Sequence, residues 1–214
     1  MPEPVKGRSY RSSVRSERAE QTRSRILRAA ADVFGEHGYA DTAVAQVAER
    51  AGVSVDTLYA SVGRKPQLLL GAHDLVLGEG SPVPSEQRAY VQAVREAVGA
   101  RAKLKTYAGA LGRLLPRAIP LSDALRVAAL TDPACREVWQ SLVERRAANM
   151  RLLAADLRAT GELRTDLSDD EVADLVWSMN GPEYYLLVAS RGRSPEDYAA
   201  LVADVWIRTL LATP

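Results

Sequence analysis

Apolar residues recur at three- and four-residue spacing along most of this chain, and no segment sustains the alternation of a half-buried strand. That property restricts the fold to helices packed on helices. Punctuation divides the pattern. A first helix is expected from about Glu17, with Ile26, Ala29, Ala30, Val33 and Phe34 inward, ending at His37-Gly38. Thr42 is a suitable N-cap for a short helix to Arg50, and Ser54 for another to Ser61. Gly63 breaks that helix, and Pro66 opens one reaching Leu77. Gly78–Pro84 reads as a linker. Beyond it, helices are expected at about 85–99, 103–118, 120–131, 133–160, 169–190 and 195–212, with Pro116 and Pro120 as stops. The expected fold class is all-α: a small three-helix N-terminal unit over 17–78, then a larger helical bundle over 84–214. Residues 1–16, rich in Arg, Ser and Pro without apolar periodicity, read as a flexible basic arm.

With 214 residues and 47% apolar content the chain can bury a sizeable core. Its longest stretches without Asp, Glu, Lys or Arg, Pro66–His73 and Leu175–Pro182, are far shorter than the roughly 20 residues of a membrane span. Met1-Pro2-Glu3-Pro4 begins no secretory signal, and a single cysteine, Cys135, makes no intrachain disulfide. A cytoplasmic location is the simplest expectation. The net charge of +1 argues against a nucleic-acid partner until its distribution is considered. Met1–Ala30 holds eight bases and three acids, Ser81–Ala118 seven and two, and Ile119–Pro214 ten and fifteen. Such asymmetry suits either an anionic partner at the basic end or ordinary solvated helices.

Ala43–Arg50, the turn Ala51-Gly52-Val53 and Ser54–Ser61 have the form of a helix-turn-helix. Ala48 and Ala51 are small where two helices approach, and Val47, Val53 and Leu58 can anchor the unit on the preceding long helix. Ser54, Val55, Asp56, Thr57, Tyr59 and Ala60 are left to face a groove.

The run Ile26-Leu27-x-Ala29-Ala30-x-x-x-Phe34-x-x-x-Gly38-Tyr39, followed by Thr42, Val47-Ala48-x-x-Ala51-Gly52-Val53-Ser54, Thr57-Leu58-Tyr59 and Lys65, resembles the TetR family of transcriptional regulators. The resemblance covers about residues 20–76 and implies a dimeric binder of double-stranded operator DNA, released by a small-molecule effector. It implies phosphate contacts from Thr42, Lys65 and Tyr59, and a base-proximal set of Val55, Asp56, Thr57 and Ala60. Asp56, Val62 and Gly63-Arg64 depart from the family pattern. Asp56 either reads cytosine or stabilises its helix dipole. Arg8, Arg11 and Arg15 are candidates for a flanking groove.

In the bundle, Tyr107, Trp139, Arg146, Met150, Trp177, Asn180 and Tyr184 are candidates for a pocket lining. Pro182 is expected to kink the 169–190 helix. Arg146 and Glu183 fall on apolar stripes and read either as pocket groups or as a structural ion pair. The resemblance implies a dimer interface from the last two long helices, here Trp177, Leu187, Val205, Trp206 and Leu210. The same stripe on the last helix equally suits a core within one chain.

No catalytic, cofactor or metal motif is recognisable around His37 or His73, so no enzyme, cofactor or metal is expected. A helical interaction or scaffold protein is the alternative reading. A redox-responsive regulator is another, because the start of a helix can lower the Cys135 pKa.

Overall fold

The computed structural model describes the backbone of residues 7–212 and the side chains of residues 15–212. Its helices are α1 (Gly7–Asp41), α2 (Val44–Ala51), α3 (Val55–Val62), α4 (Lys65–Leu77), α5 (Ala89–Glu96), α6 (Ala100–Ala128), α7 (Pro133–Arg158), α8 (Asp169–Met179), α9 (Pro182–Ala189) and α10 (Pro195–Leu210). A single 3₁₀ turn, Ser85–Gln87, precedes α5. Among the described residues, extended backbone pairs in one isolated bridge, Leu163 with Leu211.

Local chemistry accounts for most boundaries. Gly38, at φ 73°, breaks α1 where the sequence places its end. Ser54 Oγ accepts the Thr57 amide at 3.1 Å and starts α3. Asp132 Oδ1 accepts the Ala134 amide at 2.8 Å and starts α7. Ser168 and Ser194 each close a capping box, with Glu171 and Asp197 respectively.

Four expectations are corrected. The first helix begins at Gly7, ten residues before Glu17, so residues 7–16 continue α1. Arg, Ser and Glu extend a helix already anchored further along, without an apolar stripe of their own. The side chains of Arg8 and Arg11 lie outside the described residues, and Arg15 is exposed. Second, Thr42 does not cap α2. Its hydroxyl donates back to the Gly38 carbonyl at 2.6 Å, and Ala43 occupies the cap, its amide held by Gln46 Oε1 at 2.7 Å.

Third, α6 runs unbroken through Pro116 and Pro120. Both rings face outward, while Leu114, Leu115, Ala118, Ile119 and Leu121 between and beside them are buried. Packing on two sides outweighs the lost backbone donors. Fourth, the segment expected as one helix at 85–99 is α-helical only over Ala89–Glu96, separated from the 3₁₀ turn by Arg88, which takes an extended backbone (φ −64°, ψ 139°) and buries its side chain. The 169–190 helix separates into α8 and α9 at Asn180-Gly181-Pro182. The Tyr198 hydroxyl satisfies the Met179 carbonyl there at 2.6 Å.

Two apolar cores result. One joins Ile26, Val33, Val47, Leu58, Leu68 and Leu69 of α1–α4 with Ala118, Leu121 and Leu125 of α6 and Cys135 and Leu142 of α7. The other packs α5, α6, α7, α8 and α10 around Leu104, Tyr107, Leu157, Val176, Val202 and Trp206. α6 is the spine of both.

Candidate functional site

α3 sits on α1 through Leu58, which is fully buried with Val47 of α2. Gly52 makes the intervening turn in the left-handed region at φ 63°, where its amide reaches the Glu49 carbonyl at 3.0 Å. Arg23 of α1 donates to the Ser61 carbonyl and holds the far end of α3. The opposite face is open. Ser54, Asp56, Thr57, Tyr59 and Ala60 are exposed together, with Val55 half-buried beside them. Tyr59 is 45% exposed, a large ring that no packing within the chain explains.

Lys65 begins α4 close by. Its ammonium lies 4.3 Å from the centroid of the Tyr39 ring, and partial burial lowers its pKa. The Thr42 side chain, expected at phosphate, is instead buried and bonded inward. A small hydroxyl at a helix kink has backbone acceptors within reach, and those take it.

α4 leads from this face to the bundle. Asp74, near its end, accepts two hydrogen bonds from Arg145 of α7, at 2.9 and 2.6 Å, and one from Arg88 at 3.3 Å. Burial pushes the Asp74 carboxyl up, but His73 and the facing Arg145 bring it down to about 2. Burial lowers the His73 pKa, so that imidazole is neutral at pH 7. Sequence reasoning missed this cluster. Its one signal is a charged residue closing the charge-free run Pro66–His73, on a helix whose next two residues, Leu75 and Val76, are buried.

Behind His73 lies a cavity of about 290 Å³. It brings together Tyr107, Trp139, Arg146, Met150 and Asn180, five of the seven residues expected as a lining. Trp177 and Tyr184 stand outside it. Trp177 packs its ring 5.5 Å from the Arg146 guanidinium, and Tyr184 packs against Tyr198.

The polar end is a chain of side chains. Arg146 donates to Asn180 Oδ1 at 2.5 Å, and Asn180 Nδ2 donates to the Tyr107 hydroxyl at 2.8 Å. Gly181 permits this approach, since a Cβ there would stand 2.9 Å from Arg146 Nη2. Arg146 and Glu183 are therefore not an ion pair. Glu183 reaches Arg126 instead, at 3.8 Å. Tyr107 in turn stacks on Trp206, with centroids 5.8 Å apart.

Trp206 and Leu210, expected at a dimer interface, are fully buried in the second core. An amphipathic face records that it is covered, and here the cover is the chain itself. Leu187 remains exposed, beside Leu186 and Leu201, with Val205 half-buried. The Cys135 thiol is buried, 3.0 Å from the Tyr39 hydroxyl and 3.3 Å from Asp132 Oδ2. Burial and the Asp132 carboxylate raise its pKa, the reverse of the activation that a helix start suggests.

Residues 26–72 match the family model described as bacterial regulatory proteins, tetR family. Over 177 residues, 79% of this chain and 79% of the relative, the sequence is 29% identical to the HTH-type transcriptional regulator CymR of Pseudomonas putida. By these matches the chain is similar to the TetR family, most closely over its helix-turn-helix. It is a DNA-binding transcriptional regulator with a helix-turn-helix, formed by α2 and α3.

Solved structures share the TetR fold along most of their length. One, from Rhodococcus sp., superposes with a TM-score of 0.65 at 22% identity, covering 89% of this chain and 98% of its own. Another, a regulator from Saccharomonospora viridis in complex with choline, gives 0.67 at 18% identity, covering 90% and 99%. The relatives are regulators and not enzymes. No helix among the described residues is long and apolar enough to cross a membrane.

Proposed function

We propose that this regulator is a repressor that occupies a pseudo-palindromic operator as a homodimer and leaves it when a small molecule fills the cavity. One observation carries the reading. α4 follows α3 directly, carries the cavity-lining His73, and is fixed to the bundle by the adjacent Asp74. A ligand that moves the cavity wall therefore bears on the reading helix, which couples the two sites. Residues 17–78 serve as the reading unit and 84–214 as the effector and dimerisation unit.

Lys65 and Tyr59 are assigned to phosphate, Ser54 to the groove edge, and Val55, Asp56, Thr57 and Ala60 to bases. The exposed Leu186, Leu187 and Leu201, with Val205, are assigned to the partner subunit in place of Trp206 and Leu210. The choline-bound relative suggests one class of effector, but a quaternary ammonium in this cavity would face the Arg146 guanidinium. Repulsion at that end disfavours a cation.

A gel shift on the DNA flanking its own gene tests the reading. Binding should fall steeply with salt. Lys65→Ala should weaken it by roughly fivefold to tenfold on every sequence and reduce the salt slope by about one. Thr57→Ala should instead change the preference among operator variants. Binding to that DNA no tighter than to random duplex would overturn the proposal.

A further inference from the structure

The lining of the cavity holds four arginines whose circumstances differ. Arg88 and Arg145 share the Asp74 carboxylate. Arg95 is exposed at the rim and donates to the Glu86 carbonyl. Arg146 alone reaches inward without a carboxylate within 4 Å among the described residues; its partners are the amide oxygen of Asn180 and the Trp177 carbonyl. Burial lowers its pKa, while Tyr107 and the outlying Glu183 act the other way. A guanidinium has five donors and stays protonated, so this half-buried one, with neutral acceptors only, retains unused capacity.

The neighbouring Tyr107 is in the same position. Its hydroxyl oxygen already accepts from Asn180, and its own proton has the Met150 sulfur as acceptor, at 3.7 Å. Asn180 orients both groups by accepting from one and donating to the other. The rest of the wall is largely apolar, including Leu111, Leu114, Leu115, Ile119 and Leu142, with the carboxylates of Glu86 and Asp156 elsewhere in the lining. Two hydrogen-bond donors, one of them cationic, therefore stand together beside the leucine-rich part of the chamber.

We infer that the effector of this regulator is an amphipathic monoanion, a carboxylate with an unbranched aliphatic or arylalkyl body. Its head is bound by Arg146 and Tyr107 and its body lies among the leucines. This rests on the reading of the cavity as an effector site and names the chemical class that site takes. Guanidinium and carboxylate meet in a planar, charge-assisted pair, stronger than a neutral hydrogen bond. The carboxylate supplies the counter-charge that Arg146 lacks among the described residues.

Calorimetric titration of the intact protein with matched pairs tests this directly: octanoate against octanamide, and phenylacetate against phenylacetamide. Octyltrimethylammonium serves as the cationic control. Each acid should bind at least about tenfold tighter than its amide, and the cation should bind weakest. Arg146→Gln should abolish the preference for acid over amide. Arg146→Lys should restore part of the preference.

The comparison on the unaltered protein stands even if Arg146→Gln proves unstable. Equal affinity for acid and amide, preference for the cation, no binding by either acid, or a preference that survives Arg146→Gln would each overturn the inference. Operator binding without any probe, read by gel shift, reports separately on the regulator reading. A protein that binds its operator but not the acids refutes the effector class alone.

Discussion

Trp206→Ala is expected to lower folding stability by about 3–5 kcal/mol, with a fall in Tm of roughly 10 °C, at any protein concentration. The indole is fully buried, stacks on Tyr107 and packs among the helices of the second core. Its removal leaves a hole that rigid neighbours fill incompletely. Urea unfolding at two widely separated protein concentrations checks this. A core residue gives the same loss at both, because the damage lies within one chain. If the loss instead grows on dilution while sedimentation shows subunits separating, Trp206 belongs to the interface and its placement here is wrong. Leu187→Ala should show the opposite pattern, with little change in the stability of one chain.

The second large effect is expected at Asp74. Asp74→Asn should cost about 2–3 kcal/mol at pH 7, since Arg145 and Arg88 lose the carboxylate that both share. The lower end of that range allows for the part of the cluster that reaches solvent. The loss should also depend on pH in a defined direction.

The Asp74 carboxyl titrates at about 2 in the folded chain against an ordinary value of 3.8. Its contribution is complete above the ordinary value and disappears as the pH falls through the folded one. The gap between the native protein and Asp74→Asn should therefore narrow between about pH 4 and pH 2. His73 acts at a higher pH. Held neutral by burial, it favours folding above its unfolded value near 6.5 and progressively less below it, as the unfolded chain takes up a proton. Stability measured by urea at a series of pH values should decline in two stages, and Asp74→Asn should make the lower one smaller. An unchanged gap down to pH 2 would contradict the assignment.

These sites also show where reading the sequence succeeds. Ser54, Gly52 and Gly38 act through bonds to residues a few positions away, so their roles were visible in the linear order. Five of the expected cavity residues meet because helical spacing places them on inward faces. Asp74 was missed because its partner Arg145 lies 71 residues away, and nothing local announces the pairing. Pro116 and Pro120 were misread for the converse reason. Their local penalty is real, yet the burial of Leu115 and Ala118 depends on helices far along the chain. Trp206 fell between the two cases, since its stripe was legible but not the identity of what covers it.

The sharing of the first core between α1–α4 and the α6–α7 pair limits how modular this chain is. Gly78–Pro84 looks like a seam in the covalent order, but Leu121, Leu125, Val138 and Leu142 lie beyond it and help to enclose Leu68, Leu69 and Leu75. A chimaera that grafts residues 17–78 onto a foreign effector domain would bare that apolar surface unless the new host supplies an equivalent face. The transferable unit for exchanging operator specificity is therefore the outward face of α3, substituted in place.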